Sequence, residues 1–342
     1  MKNKGWGCLI IFLVLALIAS VGFNVLQMVA KFGMEEASLG GVQPKTKYTE
    51  HLEQEGDQGT KERIVRIDVE GIIGAGEESS LLSAAAMDVD GIKTALEQAV
   101  TDSNVKAIVL RVNSPGGEVT ASDTLYRAVK ETSKSKPVVV YMDSMAASGG
   151  YYLSCGSTLI VANETTLTGS IGVIMETLNY GDAMNKLGLG MMTFKSGAFK
   201  DTLSGARPMR DDEKAYIQGL VMEMYDKFVG IVADARHLGK DQLKATLADG
   251  RVFTGGEALK NHLVDQLGYI EDAYAQARTL GKAPKATVVR YQKRTGLGEL
   301  LFGAAANVRK PSASNELHIN LRDSVPHLKP GTMYMLPDFM LH

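Results

Sequence analysis

The chain has 342 residues, of which 45% are hydrophobic, with a formal net charge of −2. That is enough apolar material for a sizeable core and excludes a disordered chain, while near-neutrality excludes the concentrated basic face that a nucleic-acid partner requires. The two cysteines (Cys8, Cys155) and six scattered histidines show no zinc-ligand spacing, so no disulfide, metal or cofactor is expected.

From Trp6 to Met28 no charge interrupts an apolar run of bilayer-spanning length, and Lys2 and Lys4 precede it. The run continues well past the poor cleavage site at Ile18-Ala19-Ser20. Residues 1–30 are therefore predicted to be an uncleaved transmembrane helix with the rest of the chain on the extracytoplasmic side. Residues 31–62 are polar and read as a tether.

From Arg63 strand and helix patterns alternate. "RIVRIDVEG" alternates as a strand, "DGIKTALEQAVTDSNV" has helical spacing, and "KAIVLRV" is a strand that runs into glycine. Then come the helix "SDTLYRAVKETSKS", the strand "PVVVYM", a helix opening near Ser148, and the strands "TLIVAN" and "IGVIM". This order predicts an α/β fold with a largely parallel sheet. A long amphipathic helix, "DEKAYIQGLVMEMYDKFVGIVADAR", follows. The last stretch, 283–342, reads as an extension whose tail, from about Val308, stays off the core.

Three segments carry candidate chemistry. In "RVNSPGGEVTASD" a strand–turn–helix junction presents free backbone N–H groups suited to an oxyanion, although an ordinary βα turn has the same pattern. In "VYMDSMAASGGYYLSCG" Ser148 stands among small residues where a helix begins, a pattern that close helix packing also produces. A nucleophilic serine needs a base, and no histidine lies in these segments. "FKSGAFKDTLSGARPM" offers Lys195 and Lys200. A lysine acts as a base only where its surroundings favour the neutral amine, and a solvated surface lysine would look the same in sequence.

Taken together, "VNSPGGEVTAS", "SMAASGGYYLS", "TGSIGVIM", "KSGAFKD" and "GRVFTGGEALKNHLVDQLG" resemble, in order and spacing, the short form of the signal peptide peptidase A family. These are membrane-anchored Ser/Lys proteases of peptidase family S49. The resemblance covers about Arg63 to Leu280 and implies a catalytic domain over 63–282 with a ClpP/crotonase-like fold of stacked β-β-α units. It implies Ser148 as nucleophile, Lys200 as general base, Gly117 and Gly149 as oxyanion-hole donors, and Ser170 and Asp201 as groups that orient the lysine. It further implies a homo-oligomer, an octamer with sites shared between protomers, at the bacterial cytoplasmic membrane, acting on remnant signal peptides. The alternatives are a non-catalytic scaffold on the same fold, which the intact serine and lysine disfavour, and an acyl-CoA enzyme, which the anchor disfavours.

The remaining features read as structural. Met191, Met192, Met222 and Met224 are expected to fill core, Tyr151-Tyr152 to pack the helix after Ser148, and Asp211-Asp212-Glu213 to favour a helix dipole. The tail is the exception, because its apolar end ("TMYMLPDFMLH") has nothing to gain from water. The segment from about Met333 is expected to lie extended in a substrate groove, with an edge strand or surface packing as the alternative.

Overall fold

The computed structural model describes residues 48–74, 87–293 and 333–335, together with Leu17, Ser20, Phe23 and Asn24. The chain divides into two compact units, Met1–Thr46 and Lys47–His342. In the first, the four described residues are helical and exposed, and the rest of the expected transmembrane run lies outside the described residues. Among the described residues no helix is long and apolar enough to cross a membrane.

The second unit is mixed α/β. Its elements begin with β1 (Tyr48–Gln54), β2 (Arg63–Glu70), α1 (Val89–Thr101), β3 (Val105–Ser114), β4 (Gly117–Glu118), α2 (Val119–Ser135), β5 (Val138–Ala147) and α3 (Gly149–Ser154). They continue with β6 (Leu159–Ala162), β7 (Leu167–Gly169), α4 (Gly181–Lys186), α5 (Asp211–Arg236), α6 (Lys240–Thr246), β8 (Val252–Thr254) and α7 (Gly255–Lys260). The last are β9 (Gln266–Leu267), α8 (Ile270–Leu280), β10 (Thr287–Lys293) and β11 (Tyr334–Met335).

Nine strands form one sheet in the order β1-β10-β2-β3-β5-β6-β9, with β7 beside β5 and β8 beside β7. The pairings within the run from β10 to β9 are parallel, as the strand–helix alternation predicts. Side chains alternate across this sheet. Ile108, Leu110, Val138, Val140 and Met142 enter the larger core, while Ala107, Val109, Val139 and Tyr141 face the smaller one with Ala273, Tyr274 and Ala277 of α8. Both faces are thus sealed, and the strand ends are free to carry the site. The helices are built to match. In α1, Asp88 caps by accepting from the Gly91 N–H at 2.7 Å, and Ile92, Ala95, Leu96 and Ala99 form the buried stripe.

The structure corrects the expected boundaries at both ends. The stretch read as tether contains β1, which pairs antiparallel with β10. It lacks apolar alternation because it is a charged edge strand, tied by ion pairs Glu50–Arg63 and Glu53–Arg66 and by Tyr48 stacked on Tyr291. The extension after 282 supplies β10, which lies between β1 and β2 and buries Val288, Val289 and Tyr291. "IGVIM" forms no strand, only a bridge from Ile174 to Tyr334. The methionines differ too, since Met191, Met192 and Met222 are exposed.

Candidate active site

Sequence places Ser148 between a strand and a helix, and the structure makes that junction abrupt. Ser148 has φ 53° and ψ −114°, a conformation that side chains other than glycine adopt at a cost. Its N–H donates to the Gly169 carbonyl at 2.8 Å, and its own carbonyl accepts from Tyr152 N–H at 2.8 Å. The helix it starts is pinned by two fully buried tyrosines, as expected for Tyr151-Tyr152. Tyr151 donates to the Leu263 carbonyl and Tyr152 to Asp123. The serine side chain is 0% exposed, yet its hydroxyl has no hydrogen-bond partner among the described residues. Such an unmet group costs about 1–3 kcal/mol.

The glycine turn between β3 and β4 lies directly against this serine. Gly116 has φ +104°, and a Cβ there would overlap the Met335 carbonyl oxygen and stand 2.6 Å from the Gly149 nitrogen. A Cβ on Gly149 would come 3.2 Å from the Gly117 nitrogen. The backbone nitrogens of Gly117 and Gly149 therefore lie close together around one small volume at the glycine turn.

The described part of the tail ends in that volume. Tyr334 and Met335 pair antiparallel with Glu118 and Gly117, and Val119 N–H donates to the Met333 carbonyl at 3.1 Å. Bonded pairs alternate along an antiparallel ladder, so the Gly117 N–H faces the Met335 carbonyl. On the other edge Ile174 and Tyr334 exchange both N–H···O bonds at 3.0 Å. The tail thus lies as an extended strand between two walls, with Met335 1% exposed. Beside it, a cavity of about 520 Å³ opens at Ser170 and is walled by Ile171, Val173, Val221, Met222 and Tyr225.

Ser170 is 3% exposed, has φ 50°, and follows Gly169, the residue that accepts from Ser148. Lys200 and Asp201 lie elsewhere, on a turn of the segment between α4 and α5. Lys200 is exposed, and its ammonium has no hydrogen-bond or ion-pair partner among the described residues. Asp201 is held instead by Arg207 and Lys195, which keep its carboxyl well below the usual carboxylate range. The structure therefore brings Ser148, Gly117, Gly149 and Ser170 together within one chain and leaves Lys200 and Asp201 apart from them.

Arg207 and Glu213 belong to no motif that sets them apart in the sequence. Glu213 belongs to the acidic run Asp211-Asp212-Glu213 expected to favour the helix dipole, but its side chain is sealed from solvent. The signal available was two arginines, Arg207 and Arg210, six and three residues before it.

The profile of peptidase family S49 matches residues 130–283, and that of Clp protease residues 85–164. A protein of Enterococcus faecium, provisionally named signal peptide peptidase SppA, is 40% identical over 248 residues, spanning 72% of this chain and 71% of its own. The chain belongs to peptidase family S49. As an S49 member it is a serine protease. The chloroplastic serine protease SPPA of Arabidopsis thaliana is 33% identical over 208 residues, spanning 59% of this chain and 31% of its own. Among solved structures, a point mutant of ClpP1 from Listeria monocytogenes aligns over 61% of this chain and 93% of its own at 17% identity, with a TM-score of 0.40.

Proposed function

We propose that this serine protease is a membrane-anchored endopeptidase in which Ser148 attacks a peptide carbonyl while Lys200 of a neighbouring protomer takes the hydroxyl proton. The Ser148 Oγ–carbon bond forms, the Gly117 and Gly149 N–H groups hold the oxyanion, and the leaving amine departs with the proton from the lysine. Water, deprotonated by the same lysine, then cleaves the acyl ester and frees Ser148. Ser170 is assigned to orient the incoming amine.

One observation carries this reading. The enzyme's own tail is a peptide bound as a strand, with its Met335 carbonyl against the Gly116–Gly117 turn, which also abuts the Gly149 nitrogen. A carbonyl in that position is what the proposed chemistry acts on. The shared site is supported by the contrast between a buried Ser148 hydroxyl with no partner and an exposed Lys200 on a segment rich in exposed apolar side chains, among them Met192 at 80% and Phe194 at 89%. Large apolar surface of this kind marks a protein contact, and a homo-oligomer, an octamer by the family resemblance, would cover it.

The cavity beside the tail has an apolar wall of Ile171, Val173, Val221 and Met222 alongside Lys244 and Asp249, and that wall suits substrates with apolar side chains, in keeping with remnant signal peptides left in the membrane. The proposed organisation is an anchor over 1–30, a short tether, and an extracytoplasmic catalytic domain that includes β1 and β10. The tail acts as a self-inhibitor that the enzyme trims.

The test uses full-length chains purified in detergent. Ser148→Ala and Lys200→Ala are each expected to be inactive on an apolar peptide and to regain activity in verified mixed oligomers. Turnover by either variant alone would overturn the dyad, and failure of the mixture would assign the site to a single chain.

A further inference from the structure

The turn that bears Lys200 has little apolar packing to hold it. Across the segment from α4 to α5, Leu187, Leu189, Met191, Met192, Phe194 and Phe199 are all exposed, so apolar burial holds it weakly, the contact of the Phe199 ring with Tyr216 and the Arg210 guanidinium being its main ring packing. Polar bonds supply the rest. Arg207 Nε donates to Asp201 Oδ2 at 3.0 Å and its Nη2 to Asp201 Oδ1 at 2.7 Å. The same guanidinium reaches Glu213, with Nη1 to Oε2 at 2.9 Å and Nη2 to Oε1 at 2.7 Å.

Glu213 is set apart from its neighbours in the first turn of α5. The Asp211 side chain is 98% exposed and that of Asp212 57%, whereas Glu213 is at 0%. It also accepts from the Arg210 N–H at 2.9 Å, from the Thr202 hydroxyl at 3.4 Å, and pairs with the Arg210 guanidinium at 2.8 Å. These partners hold its carboxyl down to about 2, chiefly through the Arg207 hydrogen bonds. A sealed carboxylate is tolerated only when paired and bonded in this way. Two forked bonds from one planar group also define a geometry that a flexible ammonium does not reproduce.

We propose that Arg207 is a positioning residue for the catalytic base. It clamps Asp201, the chain neighbour of Lys200, to the sealed Glu213 at the start of α5, and so presents Lys200 at a fixed place for the neighbouring protomer. A second effect follows from the same bonds. With its carboxylate taken up by Arg207 and Lys195, Asp201 is not left to pair with Lys200, where an adjacent anion would favour the ammonium over the amine that catalysis needs. The inference rests on Lys200 being the base, as proposed above.

The experiment compares full-length Arg207→Ala, Arg207→Lys and Glu213→Gln with Lys200→Ala as control. For Arg207→Ala and Glu213→Gln, kcat on an apolar peptide is expected to fall about 10- to 100-fold with KM within about twofold, because the base is misplaced and the groove is untouched. Arg207→Lys keeps the charge, loses the fork, and is expected to recover little. Mixing Arg207→Ala with Ser148→Ala should restore activity to the level reached by Lys200→Ala with Ser148→Ala, because the Ser148→Ala chain brings an intact lysine turn. Hydrogen exchange of residues 197–206 should quicken in Arg207→Ala while that of β3 and β5 stays unchanged. An unchanged kcat, no rescue where the Lys200→Ala pair is rescued, or unchanged exchange at 197–206 would overturn the clamp. A fully active Lys200→Ala would instead remove the Ser/Lys reading, and the exchange measurement would still decide whether Arg207 orders the turn.

Discussion

Ile174 and Tyr334 exchange both of their backbone hydrogen bonds at 3.0 Å, so the tail is bonded along both edges. This double pairing sets its register. Met335, one residue on, meets Gly117, and its carbonyl is delivered to the glycine turn beside Ser148.

The register makes Met335–Leu336 the bond expected to be cut. Mass spectrometry of the purified wild-type enzyme should find chains ending at Met335, while Ser148→Ala keeps His342. A chain ending at Lys329 should turn over a short apolar peptide roughly 10-fold faster at low substrate, because a tethered occupant competes at an effective concentration in the millimolar range. Full-length wild-type chains, together with an unchanged rate on deletion, would refute both roles for the tail.

Ser148 combines a buried hydroxyl without a partner and a positive φ. Ser148→Ala should therefore stabilise the fold by about 1 kcal/mol, and Ser148→Gly by a similar or larger amount, while activity falls at least 10⁴-fold. Thermal unfolding together with an activity assay checks this. A loss of Tm in both variants would show that the serine is structural.

Gly149 approaches α2 closely, and a Cβ there would collide with the Ser122 hydroxyl, which donates to the Glu118 carbonyl at 2.9 Å. Gly149→Ala is expected to cost about 1–3 kcal/mol and to lower kcat about 100-fold by shifting an oxyanion donor. Adding Ser122→Ala should return part of the stability. A double mutant cycle with no coupling between the two sites would contradict the contact.

Glu213 has its carboxyl lowered from 4.5 to about 2, first by hydrogen bonds from Arg207. A depressed carboxylate contributes stability that is complete above its unfolded value and is lost as pH falls through its folded value. Glu213→Gln should lower Tm at pH 7, and the gap to wild type should narrow between pH 4.5 and about 2 and close below that. A gap that stays constant across this range would mean that the ion cluster does not stabilise the fold.

Part of the candidate site was legible in the residues themselves. Small residues around Ser148 and two glycines after β3 are local signals, because a close approach or a sharp turn restricts which side chains fit at that position, whereas nothing local to Lys200 separates a base from a surface lysine. Strand–helix alternation from Arg63 implied the parallel sheet, since a sheet sealed on both faces demands near-continuous apolar runs such as those of β3 and β5. What lay beyond the sequence was long-range pairing. The charged edge strand β1 has no apolar pattern because its bonds run to β10, more than 230 residues away. β11 is two residues long and has an identity only through its partners Gly117 and Ile174. Glu213 looked like one of three equivalent acids, and only the folded path of the chain, which carries Arg207 back over it, sealed one carboxylate and left the other two in water.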